Sequence, residues 1–186
     1  MIRGKNVTLD TVREGDLDSL FAFLSDIANR GEFFPIMIPS EAIFKKDFRD
    51  TGFWQEGFGR LLICDKNERI VGSIWYFKTA SYYDGLEIGY HMFDVESRNK
   101  GLMTESLALL VHYLFTSKKI NRLQLTVMLQ NLASRRVALK CGFKLEGITR
   151  GAIFHKGQNH DLEMYSILRE EVKLQWTEVA DTHALN

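Results

Sequence analysis

Apolar and polar positions change period several times along this chain, and each change predicts an element. Residues 7–12 alternate in part and run into Arg13, Glu14, Gly15 and Asp16, which reads as a strand, a turn and a helix N-cap at Asp16. Leu17, Leu20, Phe21, Leu24 and Ile27 then recur at helical spacing. Residues 29–39 hold both prolines of the chain and an apolar cluster of Phe33, Phe34, Ile36, Met37 and Ile38. They form an oily loop that either folds onto the core or lines a substrate groove. Ser40 and Glu41 open a second helical stretch reaching about Gly57, with Phe44, Phe48 and Trp54 as core anchors. Residues 60–64 and 69–79 read as two strands of a hairpin about the turn at 65–68.

The middle of the chain has the clearest change of period. Leu86, Ile88, Tyr90 and Met92 alternate, predicting a strand over 86–93. Met103, Leu107, Leu110, Val111 and Leu114 follow at spacings of three and four, predicting a helix over 101–117. Leu123, Leu125 and Val127 alternate again, so the next strand must return parallel to the one before the helix, in a right-handed βαβ crossover. Asn131 caps a short helix to Lys140, and Gly142 stands where a left-handed residue ends it. Residues 143–150 and 160–168 form a last hairpin around 155–159, and a partly helical stretch is expected over 171–176. The pattern predicts a single-domain α/β fold over 1–170, with a mixed, mostly antiparallel sheet, one central parallel pair and flanking helices. Residues 171–186 are a C-terminal tail.

Composition narrows the class. The chain has 186 residues, 45% hydrophobic, which suits one core and leaves little room for a second domain. Lys and Arg total 24, as do Asp and Glu, so bulk charge gives no reason to expect direct nucleic-acid binding. Cys64 and Cys141 have no C-x-x-C spacing and read as reduced packing thiols. No apolar run points to a membrane span and no leader pattern to secretion, so a cytoplasmic protein is expected. His91, His112, His155, His160 and His183 lack ligand spacing, and no metal is expected.

Candidate chemistry starts at ESRNKGLMTE, residues 96–105, where strand, turn and helix meet. The first amides of a helix lack internal partners and carry partial positive charge, which suits a phosphate. Arg98 and Lys100 add charge, and Gly101 lets a ligand approach the backbone. The same residues also suit a plain βα turn with a solvated basic flank.

Three blocks together, LEIGY at 86–90, Arg98 with Gly101 and Met103, and Asn131 followed by Gly142-Phe143, make the chain resemble the GNAT superfamily of N-acetyltransferases, in particular its ribosomal-protein N-terminal acetyltransferase branch. Met103 departs from the glycine or alanine usual at that position and has to turn into the core. The resemblance implies acetyl-CoA as donor. Its pyrophosphate would lie on Arg98, Asn99, Lys100, Gly101, Leu102, Met103 and Thr104, and its pantetheine arm along the strand ending at Phe93, touched by Asn131. Many relatives have a tyrosine seven positions after the asparagine, where this chain has Ala138. The ribosomal branch has a serine three positions after it, here Ser134, and a proposed general base that falls on Glu87.

Elementary chemistry agrees with those roles. An α-amine with pKa near 8 sheds its proton at pH 7 for roughly 3 kcal/mol less than a lysine near 10.4. Glu87 is expected to take that proton through a water relay, and Ser134, a poor acid, to hydrogen-bond the departing thiolate. Each has an alternative: Glu87 as a strand residue facing a basic partner, Ser134 as a hydroxyl bonding its own helix. Arg135 and Arg136 read as a solvated helix face, with contact to the nucleotide's phosphates as the alternative. The expected acceptor is a protein N-terminus, with ribosomal proteins as the implied class. A polyamine or aminoglycoside would instead call for an acidic pocket from Glu32, Glu41 or Asp84, and a non-catalytic acetyl-CoA sensor would need only the cradle. A homodimer is compatible with all of these readings.

Overall fold

The computed structural model describes residues 1–27 and 30–173. Residue 28, the first position of the expected loop (29), the predicted helical positions 174–176, and His183 lie outside them. The strands in chain order are β1 (Ile2–Arg3), β2 (Val7–Thr11), β3 (Trp54–Gln55), β4 (Phe58–Asp65), β5 (Ile70–Phe77), β6 (Gly85–Met92), β7 (Arg122–Met128), β8 (Lys144–His155) and β9 (Gln158–Leu168). The helices are α1 (Leu17–Ser25), α2 (Glu41–Thr51), α3 (Leu102–Ser117) and α4 (Leu132–Lys140). The strands join one sheet in the order β1-β2-β4-β5-β6-β7-β9-β8, with β3 paired to β4. Every neighbouring pair is antiparallel except β6 and β7, the pair joined through α3.

Strand alternation divides the core between the two sheet faces. Leu61, Ile63, Ile74, Leu86, Ile88, Leu123, Leu125 and Val127 pack with Leu107, Leu110 and Leu114 of α3 and Ala138 of α4. Each of those three leucines is fully buried, which stabilises the fold by roughly 2 kcal/mol apiece. Leu62 and Phe93 turn the other way, to Leu17, Leu20 and Leu24 of α1. Phe44 and Phe48 pack there too, while Trp54 packs on the larger cluster, so all three anchor cores as expected.

Local chemistry moves several predicted boundaries. The second helix ends at Thr51, not near Gly57, because Gly52 turns left-handed (φ 62°) and the chain re-enters the sheet at β3. Asp16 does not cap α1 with its side chain; its Oδ2 instead accepts from the Arg13 amide (2.8 Å) and closes the turn ahead of the helix. The last hairpin is longer and tighter than predicted, turning on Lys156 and Gly157 alone, both at positive φ. Both cysteines are free.

The β7–β9–β8 end of the sheet carries a titratable clamp. Arg122 donates to both Glu146 oxygens (2.5 Å each) and Ser166 Oγ donates to Oε1 (2.6 Å). Arg122, then Ser166, hold the Glu146 carboxyl down at about 2 from an ordinary 4.5. A depressed carboxylate stabilises the fold above its unfolded value and loses that contribution as pH falls through its folded value. Glu146→Gln should therefore be less stable than the parent at pH 7, with the gap closing between pH 4.5 and about 2. The side chain is 42% exposed, so screening keeps the gap to about 1 kcal/mol or less. Urea unfolding across that range checks it.

Candidate active site

The parallel pair is short. β6 and β7 pair only at Gly85–Arg122, Leu86–Leu123 and Glu87–Gln124. Beyond Glu87 each strand continues with its other neighbour, β6 with β5 to Met92 and β7 with β9 to Met128. The two facing edges therefore part, and the β7-facing amides and carbonyls of β6 past Glu87 have no strand to bond. A cleft of about 780 Å³ opens there, walled by both strands, the start of α3, the start of α4 and the loop 30–35.

One end of the cleft is the predicted cradle. Asn99 and Gly101 both take left-handed backbone (φ 59° and 78°), which swings the chain into α3. A Cβ on Gly101 would meet nothing within 4 Å, so it is the φ, not crowding by the protein, that calls for glycine there. The first helical bond runs from the Glu105 amide to the Gly101 carbonyl, which leaves the amides of Leu102, Met103 and Thr104 without intrahelical partners. Arg98, Asn99, Gly101, Leu102, Met103 and Thr104 all line the cleft, as does Asn131. Met103 is buried, its side chain in the α3 core as its departure from the usual small residue requires. Lys100 is exposed and not part of the wall. Phe93 is buried, stacks on Phe23 (4.5 Å) and bonds the Val71 carbonyl through its amide (2.9 Å).

Glu87 stands on the opposite face of β6 from the larger core cluster, where the strands begin to part. Its Oε2 accepts from Gln124 Nε2 (2.8 Å) and its Oε1 from Thr126 Oγ1 (2.6 Å), both donors coming from β7. Neutral donors therefore hold this carboxylate, not the basic partner of the alternative reading. Along the same face, Gly89 lies under the Trp75 indole, which a Cβ would strike at 2.5 Å; only glycine permits that approach. His91 follows, stacked on Phe34 (4.6 Å). Burial, with Arg98, Arg30 and Arg60 nearby, holds its imidazole down at about 4, so it is neutral at pH 7. Of the oily loop, Phe33, Phe34 and Pro35 line the cleft, while Ile36, Met37 and Ile38 are exposed.

Ser134 enters from the first turn of α4. The Asn131 side chain accepts from its amide (3.1 Å), the predicted cap. Its hydroxyl meets the Tyr90 hydroxyl at 2.7 Å. Ala138, where many relatives have a tyrosine, is fully buried in the core. Arg135 is not on a solvated face. It forms a two-pronged pair with Glu163 (2.9 and 2.6 Å) and donates to the Leu129 carbonyl (3.2 Å), tying α4 to β9, because the helix lies on that strand. Arg136 is exposed and lines the cleft. Arg135→Ala would leave the buried Glu163 carboxylate with only Tyr165 (2.9 Å), and should cost on the order of 3 kcal/mol in urea unfolding. Burial pushes the Cys141 thiol up to about 11, which leaves it protonated and a poor nucleophile. Among the described residues there is no cluster that could hold a metal ion, and no helix is long and apolar enough to cross a membrane.

The chain that builds this cleft also matches a family profile. The acetyltransferase (GNAT) domain matches residues 6–144. The chain belongs to the GNAT acetyltransferases. Among curated relatives, a probable N-acetyltransferase, YjcK, of Bacillus subtilis (strain 168) is 34% identical over 106 residues, 56% of this chain and 58% of that protein. The ribosomal-protein-serine acetyltransferase of Escherichia coli (strain K12) is 27% identical over 112 residues, 60% of this chain and 62% of that one. The chain thus spans less than two thirds of either relative. The spermidine N-acetyltransferase of Vibrio cholerae, solved with CoA and spermine, superposes with a TM-score of 0.78 at 18% identity, over 89% of this chain and 96% of that one; at that identity it shows the GNAT fold.

Tyr90, Gln124, Thr126, Trp75 and His91 were not singled out from the sequence. Two of them carried a signal, because Tyr90 lies inside LEIGY and His91 shares a strand face with Glu87. The others come from neighbouring strands whose register sequence does not show.

Proposed function

We propose that this chain is an N-acetyltransferase that moves an acetyl group from acetyl-CoA to the N-terminal α-amine of a protein, by direct attack within a ternary complex. The observation that carries this reading is the parting of β6 from β7 beside Glu87, which puts free strand amides, a helix N-terminus and a carboxylate around one cleft. The thioester supplies an activated acyl carbon. Arg98, Asn99 and residues 101–104, with Asn131, would hold the coenzyme, with the amides of Leu102, Met103 and Thr104 toward its phosphates. The β6 amides near Gly89 to His91 would polarise the acyl carbonyl.

Glu87, held by Gln124 and Thr126, would draw the proton from the attacking amine through water. The new C–N bond forms as the C–S bond breaks with its electron pair on sulfur, and Ser134 Oγ would steady that charge. Favouring a peptide terminus over a polyamine, the cleft wall carries Arg30, Arg98 and Arg136, and of the three acids a polyamine pocket would call on, only Glu32 lines it. A polycation would meet like charge there.

Acetyl-CoA with a panel of ribosomal-protein N-terminal peptides, lysine peptides with blocked termini, spermidine and an aminoglycoside tests the reading, with products read by mass. A gain of one acetyl on free α-amines alone is expected. Preferred acetylation of spermidine or the aminoglycoside would replace the acceptor, and no acetylation of any amine would overturn the activity. A cytoplasmic setting goes with this acceptor and is proposed with it.

A further inference from the structure

The hydroxyl of Ser134 has one proton, and the proposed role needs that proton to face the cleft. A serine side chain in the first turn of a helix can equally turn it onto the backbone. What would prevent this is Tyr90. We propose that Tyr90 is a positioning residue for Ser134: its phenol donates to Ser134 Oγ and leaves the serine proton for the sulfur that departs with coenzyme A. The inference rests on the reading of Ser134 given above.

At the separation of the two hydroxyls either could donate, and we give the donor role to the Tyr90 phenol. The Tyr90 oxygen lies 2.7 Å from Ser134 Oγ, an ordinary O–H···O separation, and 3.3 Å from the Ser134 carbonyl, which is long. A phenol has one proton to give. If Ser134 donated to Tyr90, the phenol would be left with the long carbonyl contact and the serine proton would be used up. If Tyr90 donates, the phenol makes the short bond and the serine proton is free. Burial pushes the Tyr90 phenol well above its usual range, so it keeps its proton at neutral pH. It acts as a donor, not as a base or a proton source.

The fold makes room for this contact. Tyr90 projects from the part of β6 that has left β7, toward the face covered by α3 and α4, and its ring packs against the main core. Ala138, one turn beyond Ser134 on α4 and fully buried, is small where a large ring would crowd that face. An accepted hydrogen bond also makes the serine O–H a stronger donor, because linked hydroxyls polarise one another. As the C–S bond breaks, the electron pair stays on sulfur, Ser134 O–H bonds it, and the thiolate takes its proton from water after release.

Four proteins test this: the parent, Tyr90→Phe, Ser134→Ala and the double variant, each measured for kcat, KM for the amine and acetyl-CoA affinity. Tyr90→Phe should lower kcat about tenfold with acetyl-CoA affinity within about twofold, and in the Ser134→Ala background it should change kcat by less than about twofold. An equal kcat loss in both backgrounds would mean Tyr90 matters only for structure, and overturns the proposal. A slow Ser134→Ala beside a normal Tyr90→Phe overturns it too, while leaving Ser134 in its role. A normal Ser134→Ala removes the reading on which the proposal rests, and the proposal with it. Should Tyr90→Phe fail to fold, 3-fluorotyrosine at position 90 keeps the ring and makes a better donor. It should give kcat at pH 7 at or above the parent, and a fall would overturn the proposal.

Discussion

Glu87→Gln should lower kcat/KM for a peptide α-amine about 100-fold at pH 7, a loss in the range for removing a general base. The substitution keeps length and shape. A glutamine oxygen can still accept from Thr126 or Gln124, so the β6–β7 junction should survive. What it cannot do is take a proton. The defect should therefore depend on the amine: as pH rises past the α-amine value near 8, more acceptor arrives already neutral and the variant should recover toward the parent, to within about tenfold by pH 9.5. Rate profiles from pH 6 to 9.5 on one peptide decide the matter. A loss of the same size at every pH would make Glu87 a strand residue whose contacts matter and whose basicity does not. A lysine acceptor should show no such recovery below about pH 10, because its own proton is held more than two units more tightly.

How far sequence could reach is visible in where each residue finds its partner. The strand, turn and helix around Gly101 follow from local period and from one glycine, and they stand as read, down to the burial of Met103. The cap of α4 by Asn131 is a bond across three residues and was equally legible. The parting of β6 from β7 was not, because it depends on where two segments stop pairing after a long crossover. Nor were the partners of Glu87, 37 and 39 positions away, or the contact of Tyr90 with Ser134 across 44. The sequence reads Arg135 and its neighbour Arg136 alike as solvated, and only Arg136 is exposed. Helical period places a residue on a face but does not say that Glu163 of β9 lies beneath it. The α2 boundary failed for a local reason instead: Phe53 and Trp54 prolong the apolar pattern past Gly52, where the backbone has already turned left-handed.

Ser134→Ala is expected to slow turnover 10- to 100-fold while leaving acetyl-CoA affinity within about twofold. A hydrogen bond to a charged group contributes about 1.5–3 kcal/mol, and this one forms only as charge gathers on sulfur. The starting thioester sulfur carries no charge to bond, so binding should hardly register the loss. The leaving thiol has a pKa near 8.5, and its thiolate is stable enough to depart unaided at a reduced rate, so the variant should keep measurable activity. The fold should tolerate the change. Tyr90 would lose Oγ but keep the Ser134 carbonyl within reach, and Asn131 would still cap the helix through the backbone amide of residue 134. Calorimetric titration with acetyl-CoA beside steady-state rates separates the two quantities. Matching losses in affinity and kcat would show that Ser134 holds the coenzyme in the ground state, and its place at the departing sulfur would be lost.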